Sequence, residues 1–102
     1  MEIVKSTTFD RWLRGLKDRR AVARVMVRVD RLAHGNPGDA KPVGSGISEL
    51  RINYGPGYRV YFRQEGQRLI LLLCGGDKST QQRDIELAHR IAQDWTTNEQ
   101  HD

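Results

Sequence analysis

The sequence has little cysteine and proline, with one cysteine and three prolines among 102 residues. The lone cysteine, Cys74, excludes an internal disulfide framework and a zinc site built from several thiolates. Such usage suits a reducing cytoplasm, which is where we expect the protein to act. No apolar run is long enough to cross a bilayer, and the first residues lack the pattern of a signal peptide. We therefore predict no membrane association.

Aromatic and hydrophobic residues are also sparse, at 7% and 37% of the chain. This composition is lean but sufficient for one small core, so we predict a single domain over residues 1–95. The polar residues 96–102 are predicted to form a flexible tail. The histidines are spread along the chain without metal-ligand spacing, so neither a metal nor another cofactor is expected.

Acidic residues are outnumbered, which gives a net charge of +4. The excess lies in residues 1–34, where nine Lys and Arg stand against four Asp and Glu. Residues 77–102 are acidic instead, with three Lys and Arg against six Asp and Glu. A basic front half favours a negatively charged partner, either nucleic acid or an acidic protein.

Hydrophobic spacing predicts the order strand, helix, helix, strand, strand, strand, helix. Apolar residues at i, i+3, i+4 and i+7 from Phe9 to Leu16 predict the first helix, and a similar stripe predicts a second helix over residues 19–34. The Gly- and Pro-rich residues 35–46 are predicted to be a loop. Consecutive strands joined by short turns indicate antiparallel hairpins, and helices grouped at the two ends indicate an α+β fold. The later strands and the last helix are predicted at 47–53, 58–63, 69–74 and from Ser79 onward.

The second and third predicted strands would gather positive charge on one face of the sheet. Alternation places Glu49 and Arg51 on one face of their strand, and Arg59, Tyr61 and Arg63 on the matching face of the next. Three guanidinium groups and a phenol on an open face suit RNA, because they offer bidentate contacts for phosphate and a ring for stacking. A solvated sheet face with ordinary cross-strand Glu–Arg pairs is the alternative interpretation.

Two other features carry charge but have ordinary structural explanations. Two glycines and Lys78 precede the last helix, but a P-loop needs glycine directly before the lysine, where this chain has Asp77. A tight turn with a helix cap is therefore the favoured interpretation. Arginines at helical spacing on the second helix could bind an acidic protein segment or RNA, although a solvated helix face is more usual. They are Arg20, Arg24, Arg28 and Arg31.

Several motifs in order make the chain resemble a known group of toxins. They are Glu49–Ile52, Gly55–Tyr61 and Gly75–Gln81 followed by Asp84-Ile85, together with the loop at residues 35–39. With them, the chain from Phe9 to about Trp95 resembles the addiction module killer proteins of the RelE/ParE superfamily, near the phage-derived and HigB-like toxins.

The resemblance implies a fold and a set of partners. The fold is β-α-α-β-β-β-α, with two N-terminal helices and a C-terminal helix on a twisted, mainly antiparallel sheet. The implied role is the toxin of a type II toxin–antitoxin system. Its cognate helix-turn-helix antitoxin would form a toxin–antitoxin heterotetramer on operator DNA.

The resemblance also implies cleavage of mRNA, commonly on the ribosome, by a metal-independent endoribonuclease. The RNA 2′-hydroxyl attacks the neighbouring phosphate, so the enzyme supplies charge, a base and an acid. In such enzymes a catalytic arginine occupies the position of Arg59, and Arg51 would be a second phosphate clamp. Lys78 lies near the position where these enzymes carry another basic catalytic residue. Tyr61 is a candidate acid or stacking partner. Further RNA contacts are expected from Arg63, Arg24 and Arg28.

Two positions depart from the pattern of these ribonucleases. Many of them carry Tyr or His near the start of the last helix, where this chain offers only Asp84 as a titratable candidate. Glu49 stands where RelE itself carries a basic residue. Two other functions therefore stay open: a ParE-like inhibitor of DNA gyrase that cleaves nothing, and a decayed toxin that only holds its antitoxin.

Overall fold

The computed structural model describes the backbone of residues 1–101 and the side chains of residues 1–95. Its elements confirm the predicted α+β class. The predicted flexible tail at 96–102 lies outside the residues with described side chains and stays a prediction. The elements are β1 (Glu2–Lys5), α1 (Thr7–Gly15), α2 (Arg19–Ala33), β2 (Ala40–Gly44), β3 (Ile47–Ile52), β4 (Tyr58–Glu65), β5 (Leu69–Asp77), a 3₁₀ turn (Lys78–Thr80) and α3 (Gln81–His101).

The strands form one mixed sheet in the order β1-β5-β4-β3-β2. Only the β1–β5 pairing is parallel, so the sheet is mainly antiparallel as predicted. The prediction of an unbroken loop over residues 35–46 is wrong, because residues 40–44 pair with β3 as an edge strand. Pro42 is compatible with an edge position, where one side of the strand needs no backbone donor.

Helices cover both faces of the sheet. On one face, α1 and α2 pack on apolar side chains of β3, β4 and β5. On the other face, α3 packs through Ala88 and Ala92 against a second cluster. The first cluster contains Phe9, Val25, Val29, Leu32, Leu50, Ile52, Val60, Phe62, Ile70 and Leu72. The second contains Ile47, Tyr61, Leu71, Leu73, Cys74, Ala88 and Ala92.

A bulge in β5 changes which residues face which helix layer. Tyr61 pairs with Cys74 and Phe62 pairs with Leu72, which leaves Leu73 as the extra residue. Leu73 and Cys74 consequently both lie in the cluster on the α3 side. Beyond the bulge, Gly75 faces α1 and Gly76 faces α3, the reverse of what simple alternation gives.

Gly75 leaves room for the indole of Trp12, because a Cβ atom built on Gly75 would overlap that ring. We expect Gly75→Ala to lower the free energy of unfolding by about 1–3 kcal/mol through overpacking. Urea unfolding followed by circular dichroism measures this change. Gly15→Ala is the matched control, since nothing lies within 4 Å of its added methyl group. Equal unfolding midpoints for the two variants would contradict the proposed close approach.

Candidate functional site

The side chain of Glu49 is fully buried on the α3 side of the sheet. Its Oε1 accepts a hydrogen bond from Nε of Arg51 at 2.8 Å. Its Oε2 accepts from the Tyr61 hydroxyl at 3.0 Å and from Nε2 of Gln81 at 2.9 Å. Donors from β3, β4 and the first residue of α3 therefore converge on one carboxylate.

Arg59 lies directly opposite Arg51 in the register of β3 and β4. Its Nε is 3.8 Å from Oε2 of Glu49, and its side chain is only 12% exposed. Like charges directly opposite each other in a sheet repel, and the Glu49 carboxylate between them offsets that repulsion. Sequence alternation thus correctly placed both arginines on one face, and packing supplied their shared counter-ion.

The guanidinium of Arg59 has no hydrogen-bond partner within the described residues, and its Nε is fully buried. Arg51 uses only Nε on Glu49 and is one-third exposed at 33%, so its terminal amino groups carry no bond to the described part of the chain. A buried cationic donor without an acceptor is costly. These two side chains together can donate hydrogen bonds to the oxygens of an anion.

The prediction that the sheet face with Arg51, Arg59 and Tyr61 is open is wrong, because α3 covers that face. Tyr61 is fully buried in the cluster under α3, so its ring is not available to stack on a base. Burial, together with the neighbouring Glu49 carboxylate, raises the pKa of Tyr61 and keeps the phenol protonated. Its observed contact is the hydrogen bond that it donates to Glu49.

The charge of Glu49 survives burial because its donors stabilise the ionised form. Burial by itself raises the pKa of Glu49, but the hydrogen bonds from Arg51, Gln81 and Tyr61 and the charge of Arg59 outweigh it. The net result is a pKa below the usual value of 4.5. Glu49 is therefore a fixed negative charge at neutral pH.

Asp84 lies on the same face, against Gly76 at the end of β5. It is buried, with 6% of its surface exposed, and accepts a hydrogen bond from the Thr80 hydroxyl. A Cβ atom on Gly76 would overlap the Asp84 carboxylate. Because Gly76 is the register partner of Arg59, the absent side chain lets Asp84 approach the strand beside this arginine.

Lys78 begins the 3₁₀ turn at the same end of the sheet and is exposed. A cap is present as predicted: the carboxylate of Asp77 accepts a hydrogen bond from the backbone N–H of Ser79 at 2.8 Å. Hydrogen bonds from Ser79, opposed in part by burial, lower the pKa of Asp77. The turn-and-cap interpretation of this segment is confirmed.

The other predicted RNA contacts lie away from Arg51 and Arg59. Arg63 sits four residues along β4, where it pairs with Glu65 at 2.8 Å and donates to the carbonyl of Ala92 in α3. Arg28 in α2 donates to the carbonyls of Arg51, Pro37 and Asp39 and so braces the loop before β2. Arg24 stacks over a tyrosine ring on the α2 side.

The alternative interpretation, Glu–Arg pairs on this face, is confirmed in part, since Glu49 pairs with Arg51 and Arg59, but the carboxylate is buried rather than solvated. Sequence reasoning missed that Glu49 is a buried counter-ion for both arginines, and it missed Gln81. An acidic residue on the same strand face as several arginines was a signal for a shared counter-ion. The contribution of Gln81 comes from a helix distant in sequence and had no local signal. Within the described residues, no three His, Cys, Asp or Glu side chains group as a metal site, and no helix has the length and apolarity to cross a bilayer.

Replacing Glu49 with Gln removes the negative charge and leaves the nearly buried Arg59 and the partly exposed Arg51 without their shared counter-ion. We expect the free energy of unfolding to fall by about 3 kcal/mol at pH 7. Since the folded-state pKa is lower than 4.5, the stabilisation is complete above that value and is lost as pH falls through the folded-state pKa. Urea unfolding at neutral and acidic pH should therefore show the gap between the two proteins narrowing in acid.

The matched control for this change is Glu86→Gln, at an exposed residue of α3. It should alter stability by less than about 0.5 kcal/mol at either pH. A Glu49→Gln gap that stays constant from neutral to acidic pH would show that the carboxylate charge is not the stabilising element.

Cys74 is buried, and this burial raises its pKa to about 12. Because the thiolate is the reactive form, the native protein should not react with Ellman's reagent, whereas the urea-unfolded protein should react fully. Absorbance of the released thiolate measures both rates. Rapid stoichiometric reaction of the native protein would place Cys74 outside the core.

The chain matches, over residues 11–93, the family described as phage-derived protein Gp49-like (DUF891). The chain is 51% identical to an uncharacterized protein of Haemophilus influenzae over 94 aligned residues. The aligned region covers 92% of this chain and 95% of that protein. The family match includes every residue of the site above. The finer assignment to the HigB-like group stays a prediction. The chain belongs to the Gp49-like phage-derived family, a RelE-like toxin family associated with toxin–antitoxin systems.

Proposed function

We propose that this protein is the toxin of a type II toxin–antitoxin pair and inhibits translation by cleaving mRNA on the ribosome without a metal. The observation that carries the proposal is Arg59, a nearly buried guanidinium without a hydrogen-bond acceptor in the described chain. The partly exposed Arg51 lies directly opposite it. The family's association with toxin–antitoxin systems supports the toxin role.

Phosphate oxygens are the acceptors that best suit this pair of arginines. A guanidinium presents donors in a planar fork that matches a phosphate, and burial strengthens the interaction. In the proposed reaction the RNA 2′-oxygen attacks the adjacent phosphorus, and the 5′-oxygen of the next nucleotide leaves. Arg59 and Arg51 would stabilise the negative charge that develops on the non-bridging oxygens.

The remaining residues of the site would move protons and hold the arginines. Asp84, beside Arg59, is the candidate base for the 2′-hydroxyl, and the exposed Lys78 is the candidate partner of the leaving oxygen or of a flanking phosphate. Tyr61 is assigned a positioning role rather than that of an acid, because its buried hydroxyl donates to Glu49. Glu49 itself would hold Arg51 and Arg59 in register.

The proposed partners follow from this activity and from the family. They are mRNA and the ribosome in the cytoplasm, and a cognate helix-turn-helix antitoxin that joins the toxin in a complex on operator DNA. The net charge of +4 supports a negatively charged partner. The RNA contact predicted for Arg63 would lie outside the reacting centre. Arg24 and Arg28 are held on the α2 side of the sheet, by Tyr54 and by backbone carbonyls, so we do not assign them to the RNA.

Arg59→Ala should reduce mRNA cleavage by about 100-fold or more, because it removes a donor aimed at the developing charge. The toxin is released from its antitoxin and added to a coupled translation reaction, and new mRNA 5′ ends are mapped by primer extension. Circular dichroism and antitoxin binding should stay as in the unchanged protein.

Arg68→Ala is the matched control, since this arginine is exposed in the turn between β4 and β5. It should leave cleavage within about twofold of the original rate. A fully active Arg59→Ala protein would overturn the mechanism. Normal translation together with blocked DNA supercoiling would replace the proposal with the gyrase-inhibitor function.

A further inference from the structure

A groove of about 580 Å³ runs along α2, beside the C-terminal end of β3. Four arginines at helical spacing line it, and Ala23, Val27 and Ile52 supply apolar surface between them. The arginines are Arg20, Arg24, Arg28 and Arg31. The groove therefore combines an apolar floor with a positively charged rim.

Val27 is the residue that marks this groove as a contact surface. It is 48% exposed, and Met1 is the only other large hydrophobic side chain exposed among the described residues. Val22 and Val29 lie on the side of α2 opposite to Val27. Val22 is half-buried and Val29 is buried. Val27 lines the same groove as Ala23 and Ile52, and an apolar patch rimmed by charged residues is typical of a protein-binding site.

Two of the rim arginines are already fixed in place. Arg28 is held by backbone carbonyls on either side of β2, including that of Pro37 at 3.0 Å. Arg24 lies 4.6 Å from the ring centre of Tyr54, whose hydroxyl donates to Asp18 at 2.9 Å. Fixed side chains lose little conformational freedom when a partner binds.

The other two arginines provide the free charge. Arg20 and Arg31 are exposed, and neither forms a salt bridge within the part of the chain that the structure describes. They are eleven residues apart on α2, so at 1.5 Å per residue the rim is about 17 Å long. A helix of about 12 residues matches that length.

The chemistry of the groove favours a protein rather than a nucleic acid. Single-stranded RNA is held by aromatic platforms on which its bases stack. The aromatic ring next to this groove, Tyr54, is covered by Arg24. The apolar floor around Val27 would stay unpaired against a phosphate backbone, whereas an apolar helix face would bury it.

We propose that this groove binds an acidic amphipathic helix of a protein partner. Its carboxylates, spaced one turn apart, pair with Arg20 and Arg31, while its apolar face covers Val27 and Ala23. The inference goes beyond RNA cleavage, because the groove lies on the α2 side of the sheet and the candidate active site lies on the α3 side. An antitoxin that carries such a helix would be a suitable partner for the groove.

The test measures binding of a fluorescein-labelled synthetic helix of about 12 residues to the full chain by fluorescence anisotropy. The peptide carries Glu at one-turn spacing along one edge and Leu and Ala along the adjoining face. A scrambled peptide of the same composition and a labelled single-stranded RNA serve as comparison ligands. The variants are Val27→Glu, the pair Arg20→Glu with Arg31→Glu, and the control Arg68→Glu, which is exposed outside the groove.

We expect the amphipathic peptide to bind at least about tenfold more tightly than the scrambled one. The affinity for the amphipathic peptide should fall by about tenfold in the double variant Arg20→Glu with Arg31→Glu, and by about tenfold in Val27→Glu. In the Arg68→Glu control it should stay within about twofold of the original value. Unfolding midpoints should stay unchanged, since the altered side chains are exposed. Equal affinity for both peptides, or equal loss in the Arg68→Glu control, overturns the proposal. Loss of RNA binding alone in the groove variants would assign the groove to nucleic acid and also overturn it.

Discussion

The interaction on which the site depends is the buried carboxylate of Glu49. Two arginines face each other across β3 and β4, and without a shared counter-ion they would repel in a region of low dielectric. The cost of burying Glu49 is met by donors from Arg51, Tyr61 and Gln81. One ionised group thus connects two strands to the start of α3. It also holds Arg59 by charge attraction and leaves the hydrogen-bond donors of that guanidinium without an acceptor in the described chain.

The second constraint is the backbone of β5. The extra residue Leu73 shifts the later part of the strand so that Gly76 faces α3, where Asp84 fills the space that a side chain would occupy. A carboxylate and a guanidinium thereby share one end of the sheet, close to the exposed Lys78. The bulge and the glycine act together, because the bulge turns residue 76 towards α3 and the missing side chain leaves room for the Asp84 carboxylate.

The sheet also separates two kinds of positive surface. On the α3 side, the nearly buried Arg59 and the partly exposed Arg51 are held close together, which suits a small anionic group. On the α2 side, Arg20 and Arg31 stand apart at the ends of a groove with an apolar floor. Such an arrangement suits an extended acidic partner. A chain of this size can carry both surfaces because helices cover both faces of the sheet.

The sequence by itself determined the helices, the strand alternation and the shared face of Arg51 and Arg59, because these follow from local periods of 3.6 and two residues. Only the tertiary structure decided that α3 covers this face, that Tyr61 is buried beneath it and that Gln81 reaches Glu49. It likewise decided that residues 40–44 form an edge strand and that Arg28 braces a loop. Those features depend on contacts between segments distant in sequence, and a local pattern fixes the direction of a side chain but not what packs against it.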